Sequence, residues 1–256
     1  MKVVILAGGL GSRLAEETHV IPKPMVSVGD EPILWHIMKL YAKWGLNEFY
    51  VTLGYKGDVI KNYFLHYSEL SGDLSVDLGN NTVKQTRKSH EKWNVHLIET
   101  GKETLTGGRL LRLKEILKGE TFMLTYGDGV SDVNPHDVLE LHHTRNALAT
   151  VTAVRPPARF GGIAFDGDHV TGFAEKRQVD EGWINGGFMV MEPGVFDYLT
   201  GDQDVLEVDL LERLAIDKKL VAYKHKGYWQ CMDTLRDRQK LEEQWASGNA
   251  PWKIWT

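Results

Sequence analysis

Residues 2–6 (KVVIL) make a short apolar run, and residues 7–13 (AGGLGSR) come directly after it with no spacer. A strand of that length feeding a glycine-rich turn commits the chain to one opening: strand, tight turn, then helix or loop. Gly8, Gly9 and Gly11 let the backbone come close to a ligand, and N–H groups at such a turn can point at an anion. Arg13 and Lys23 add the positive charge that N–H groups lack. An ordinary tight turn ahead of a helix fits the same glycines. The spacing departs from a dinucleotide-binding G-x-G-x-x-G, since position 14 is Leu14, and no G-x-x-x-x-G-K-[ST] occurs.

The next segment repeats the opening. Residues 32–44 read as a helix, with Ile33, Leu34, Ile37, Leu40 and Tyr41 at helical spacing and Gly45 as the stop. Residues 48–53 (EFYVTL) read as a strand, and Asp58 as the cap of a helix reaching about Tyr67. Strand, helix, strand, helix predicts an α/β fold with a parallel sheet under covering helices. Pro22 and Pro24 predict extended chain at Lys23, because a residue before proline avoids the α region. Residues 68–93 break the rhythm as a polar excursion, with a small strand at 82–84. The rhythm resumes with strands at 94–99 and 121–126, a glycine- and threonine-rich loop at 100–109 and a helix behind it.

The second half predicts a helix at 138–145 capped by Asp137, a strand at 149–155 and two hairpin strands around Gly167. After them come a strand at 183–191, helices from Pro193 and around Leu206–Leu214, a strand at 220–223, and a last helix from Leu235. Asn185, Gly186 and Gly187 are odd in a strand interior, and close approach of a ligand to the backbone would explain them. The tail at 249–256 carries Trp252 and Trp255 and must pack on something, for which a neighbouring subunit is one option.

Composition narrows the function. The net charge of −5 argues against broad nucleic-acid binding, and no apolar stretch is long enough for a membrane span. The opening apolar run is too short for a leader peptide. One cysteine, Cys231, fits a reducing cytoplasmic setting and reads as a core residue. His142-His143 reads as a helix-surface pair, and no zinc-type histidine spacing is present. Asp128, between Gly127 and Gly129 at the end of a strand, is placed for a metal ion, although a capping role fits equally. Asp233 offers a second hard oxygen ligand, and such a pair suits Mg²⁺ rather than zinc. A surface role is an equal reading of Lys176.

These strings together resemble the sugar-nucleotide pyrophosphorylases, and within them the cytidylyl branch. The resemblance rests on LAGGLGSRLAEET with IPKPM, residues 99–109 (ETGKETLTGGR), LTYGDGVSD, FAEK, NGGF and WQCMDTLRDRQKLEEQW, in that order. It implies a Rossmann-like nucleotidyltransferase fold with a central mixed, mostly parallel sheet flanked by helices. The implied layout is one domain over 1–256, with a nucleotide-binding half (about 1–130), a sugar-phosphate-binding half (about 131–233) and a C-terminal helix and tail (234–256). The implied substrates are CTP and glucose 1-phosphate, with Mg²⁺ as cofactor. Leu6, Ala7, Gly8, Gly9, Gly11, Ser12, Arg13, Lys23, Thr104, Arg109 and Asp128 are the implied nucleotide-binding residues, with Arg13 and Lys23 catalytic. Asp128 and Asp233 are the implied metal pair. Lys176, Asn185, Gly186 and Gly187 are the implied sugar-phosphate residues. The resemblance also implies a homo-oligomer whose product feeds dideoxyhexose synthesis for surface polysaccharide.

Overall fold

The computed structural model describes all residues except 12–13, 15–17, 88–90, 157–161, 175–181 and 256. Among the described residues a seven-stranded sheet forms the centre. Its strands are β1 (Lys2–Leu6), β2 (Glu48–Leu53), β3 (Asn94–Glu99), β4 (Phe122–Tyr126), β5 (Ala149–Val154), β6 (Ile184–Met191) and β7 (Leu220–Lys224). In space they run β7-β5-β6-β4-β1-β2-β3. Within this sheet only β6 is antiparallel to its neighbours, β5 and β4, so the sheet is mixed and mostly parallel. This is the expected α/β class, a Rossmann-like central mixed sheet flanked by helices.

Alternation along the strands splits the core into two layers. In β1, Val3 and Ile5 face one side with Phe49 and Val51 of β2, while Val4 and Leu6 face the other with Phe122 and Leu124 of β4. The first face is covered by α1 (Ile33–Lys43), which buries Ile33, Leu34, Ile37, Leu40 and Tyr41, and by Ile60 of α2 (Gly57–Leu70). The second face is covered by Leu110 of α3 (Thr106–Leu111), by Phe196, and by Leu206, Leu210 and Leu214. Each side chain buried in this way contributes roughly 1.5–3 kcal/mol through removal of apolar surface from water.

Several local expectations need correction. Lys23 is not extended: Lys23–Met25 form a 3-10 turn, because Pro22 supplies the extended lead-in and Pro24 suits the first helical turn. The helix expected after residue 109 starts at Thr106, so Gly107, Gly108 and Arg109 are helical. The two glycines let the helix lie against the backbone of residues 202–204, where a Cβ on Gly108 would come within 2.4 Å of the Asp202 carbonyl oxygen. Asp58 and Asp137 lie in first turns but are not caps; Lys56 and Asn134 hold those positions, and Asn134 accepts from the His136 N–H. The excursion at 68–93 contains a full hairpin, Gly72–Asp77 paired with Thr82–Arg87.

His142 is not on the surface. It is buried, its Nδ1 is 2.9 Å from Thr150 Oγ1 and its Nε2 is 3.1 Å from Glu192. The tail packs on its own chain. Trp252 is completely buried against α1 and against Trp245 of α4 (Leu235–Ala246), and its indole N–H donates to His36 Nδ1 at 3.4 Å. The glycines of β6 are closely packed. The β5–β6 register shifts between Val151 and Ala153, and Gly187 takes a φ of +83°, with a Cβ there falling 2.5 Å from the Tyr126 ring. Tyr126 is the neighbour that crowds Gly187, while a Cβ on Gly186 would fall 2.7 Å from Val154.

Candidate active site

The carboxyl ends of the adjacent parallel strands β1 and β4 open into one pocket of about 600 Å³. The turn after β1 is tied on both sides. Ala7 N–H donates to Thr52 of β2, Tyr55 N–H donates to the Gly8 carbonyl, and Gly127 N–H after β4 donates to the Leu6 carbonyl. Leu6, Ala7, Gly8, Gly9 and Gly11 line the pocket along this turn.

Arg109 explains the need for glycine at position 8. Its guanidinium lies against the turn, so that a Cβ on Gly8 would sit 2.3 Å from Nη1. Nη1 donates to the Leu53 carbonyl, Thr100 Oγ1 and the Gly101 carbonyl at 3.0, 2.8 and 2.7 Å. Nη2 donates to the Gly8 carbonyl at 2.8 Å. Burial pulls the Arg109 pKa down, and the neighbouring Arg112 charge acts in the same direction. The cation clips the β1 turn to the β3 loop while also lining the pocket beside Thr104.

Lys23, Asp128 and Asp233 meet on the pocket floor. Lys23 Nζ donates to Asp128 Oδ2 at 2.6 Å and to Asp233 Oδ1 at 2.6 Å, across sequence separations of 105 and 210 residues. A two-stranded ribbon makes this possible. Trp229–Cys231 pairs antiparallel with Gly129–Ser131, placing Cys231 opposite Gly129, and Met232 N–H donates to the Asp128 carbonyl. Asp233 then precedes Thr234, which caps α4 through a capping box with Asp237. Burial lowers the Lys23 pKa, but the two carboxylates outweigh it and the net shift is upward. Cys231 donates to Asp233 Oδ2 at 3.6 Å, and burial with the nearby carboxylates pushes its thiol up to about 12, so it stays protonated and inert.

Among the described residues, no group of three or more His, Cys, Asp or Glu gathers as a metal site. The Asp128–Asp233 pair still suits Mg²⁺, which takes one or two carboxylates and fills its shell from phosphates and water. That both carboxylates converge on one ammonium shows that the spot accepts a cation.

Sequence reasoning missed Tyr126 and Thr106, which also line the pocket. Both are held by Glu207: the Tyr126 hydroxyl donates to Oε1, and Thr106 Oγ1 donates to Oε2 at 3.3 Å. Their signal was position, one at the carboxyl end of a strand and one at a helix start. Asn185 lies beside this cluster, its Oδ1 accepting from Gly187 N–H at 2.9 Å, while Gly186 gives its carbonyl to the Trp229 indole. Asn185, Gly186 and Gly187 are not among the residues lining this pocket. Ser12, Arg13 and Lys176 lie outside the described residues.

Residues 2–240 match the family model "Nucleotidyl transferase". The chain is 47% identical to the glucose-1-phosphate cytidylyltransferase of Salmonella typhi over 256 residues, covering all of both chains. It is 43% identical to the probable glucose-1-phosphate cytidylyltransferase of Bacillus subtilis, again over the whole of both. In fold it is similar to HddC from Yersinia pseudotuberculosis, with a TM-score of 0.70 at 23% identity over 95% of this chain and 99% of that one. A UDP-glucose pyrophosphorylase complexed with UDP-glucose shares the fold with a TM-score of 0.67 at 15% identity, over 96% of this chain and 98% of that one.

Proposed function

The chain belongs to the nucleotidyl transferase family, among the glucose-1-phosphate cytidylyltransferases, and from that membership we propose that it converts CTP and α-D-glucose 1-phosphate to CDP-glucose and pyrophosphate. The coarse reaction, a nucleotidyl transfer that makes a sugar nucleotide, comes with the family. The finer reading is supported by one observation above all: Lys23, Asp128 and Asp233 converge beneath a glycine turn at the ends of β1 and β4.

The proposed chemistry needs no side-chain base. A phosphate monoester has a second pKa near 6, so the attacking oxygen of the sugar phosphate is mostly ionised at neutral pH. It attacks the α-phosphorus in line and pyrophosphate leaves from the opposite side. The barrier is the approach of two anions, which positioning and charge stabilisation lower. N–H groups of the Gly8–Gly11 turn would cradle the phosphates, and Lys23 would neutralise charge on the leaving pyrophosphate. Asp128 and Asp233 would hold a divalent cation, which supplies Lewis-acid stabilisation of phosphoryl charge. By sequence resemblance we assign Arg13 to the transition state and Lys176 to the sugar phosphate. We place Asn185, Gly186 and Gly187 on the sugar side and Thr104 and Arg109 on the base side.

The functional halves proposed are residues 1–130 for the nucleotide and 131–233 for the sugar phosphate, with the helix and tail at 234–256 beyond them, in a homo-oligomer whose CDP-glucose feeds dideoxyhexose synthesis. Among the described residues, no helix is long and apolar enough to cross a membrane. The decisive test is pyrophosphate release from glucose 1-phosphate and Mg²⁺ with CTP, UTP, dTTP, ATP and GTP supplied singly. A strong preference for CTP is expected. Release with another triphosphate instead would overturn the base assignment and keep the reaction class.

A further inference from the structure

Lys23 stands where a metal ion would stand. Its ammonium lies 2.6 Å from one oxygen of each carboxylate, so Asp128 and Asp233 already point at a single cationic centre. Lys23 holds one oxygen of each carboxylate. Mg²⁺ drawn to the same two oxygens, at its usual distance of about 2.0–2.1 Å, would stand close to the ammonium and be repelled by its charge. The Lys23 backbone offers no escape, since it is held in a 3-10 turn between Pro22 and Pro24 and packed in the interior. The side chain, with its flexible four-carbon stem, is the part that can move. Lys23 lines the same pocket as the glycine turn, where phosphates would lie.

From this geometry, and resting on the cytidylyltransferase reading above, we infer that Lys23 is a displaceable counter-cation that closes the carboxylate pair to free divalent metal until a triphosphate draws the ammonium away. Charge balance supports the exchange. The pair carries two negative charges, and both face the single Lys23 ammonium. An incoming triphosphate supplies several negative charges on the glycine-turn side, and the ammonium that leaves for it releases one oxygen of each carboxylate together. Metal and nucleotide then enter as one complex, and metal without nucleotide is kept out. Lys23 thereby sets the order of binding besides contacting the phosphates.

The test is Mn²⁺ binding to the full chain without nucleotide, read by loss of the free-ion electron paramagnetic resonance signal. Lys23→Met should bind Mn²⁺ at least tenfold more tightly than wild type, and Lys23→Arg, which keeps a cation, should resemble wild type. Adding Asp128→Asn to Lys23→Met should abolish the gain. A Lys23→Met affinity no tighter than wild type overturns the inference, as does a gain that survives Asp128→Asn. Should Lys23→Met fail to fold, wild-type protein labelled with ¹⁵N-lysine serves instead. One slowly exchanging ammonium signal should persist with Mg²⁺ alone and shift with Mg²⁺ and CTP; a shift with Mg²⁺ alone overturns the inference. If Asp128→Asn abolishes turnover yet Lys23→Met binds Mn²⁺ no better, only the latch fails. If Asp128→Asn turns over normally, the metal assignment fails and the latch falls with it.

Discussion

The guanidinium of Arg109 donates to the carbonyl oxygen of Gly8 at 2.8 Å, joining residues 101 positions apart. That contact closes the pocket wall, because the same side chain also holds Gly101 and Thr100 at the end of β3. Arg109→Met leaves several buried carbonyls without their donor, and hydrogen bonds to charged groups contribute about 1.5–3 kcal/mol each. We expect a loss of about 3 kcal/mol in urea unfolding and a raised KM for the nucleotide. Gly8→Ala should act through the same contact, since its Cβ would meet the guanidinium at 2.3 Å. The double variant should therefore be less destabilised than the sum of the two. Additive effects would show that the clip is not shared.

Asp128→Ala and Asp233→Ala remove the two carboxylates that face Lys23 at 2.6 Å. Each should keep a folded circular dichroism spectrum and lose turnover by roughly 10³-fold, with a smaller change in KM, because the lost stabilisation belongs mainly to the transition state. Near-normal kcat in both variants would remove the metal assignment.

His36 makes stability depend on pH. Burial lowers its pKa from 6.5 to about 4. The neutral ring is enforced on both sides: Nε2 faces the Val28 carbonyl at 2.9 Å and must donate, while Nδ1 accepts from the Trp252 indole. The folded state therefore refuses a proton that the unfolded state accepts. The stabilisation is complete above the unfolded pKa of 6.5 and is lost as pH falls from there toward 4. Between about pH 7 and about pH 4.5 this group alone should remove about 2 kcal/mol. Urea unfolding of wild type and His36→Gln at both values checks it, and the variant should lose less stability on acidification. Equal losses would exclude His36 as the source.

Trp252 is completely buried in its own chain. Trp252→Ala should cost about 3–5 kcal/mol in unfolding free energy, independent of protein concentration. A cost that vanished on dilution would assign the tail to a subunit contact instead.

Local order was readable from the residues. Short apolar runs and helical spacing marked the strands and helices of the main sheet, and the glycine turn, the prolines around Lys23 and the Gly127-Asp128-Gly129 turn fell where the pocket lies. What failed were features decided by partners distant in sequence. His142 sits on a polar helix, yet Thr150 and Glu192 supply the hydrogen bonds that offset its burial. The close approach of the Tyr126 ring to Gly187 likewise joins residues far apart in sequence. Glu207 carries no motif, yet it holds both Tyr126 and Thr106.

By itself the sequence determined the elements, the sheet class and the family, because these come from side-chain periodicity, turn chemistry and long matching strings. The resemblance implied the pairing of Asp128 with Asp233; only the tertiary structure decided that Lys23 joins both and that Arg109 clips the glycine turn. The reason is physical. Pairing of 229–231 with 129–131 converts a long sequence separation into a hydrogen-bonded ribbon, and no local pattern encodes which distant charges such a ribbon will bring within 2.6 Å of one ammonium.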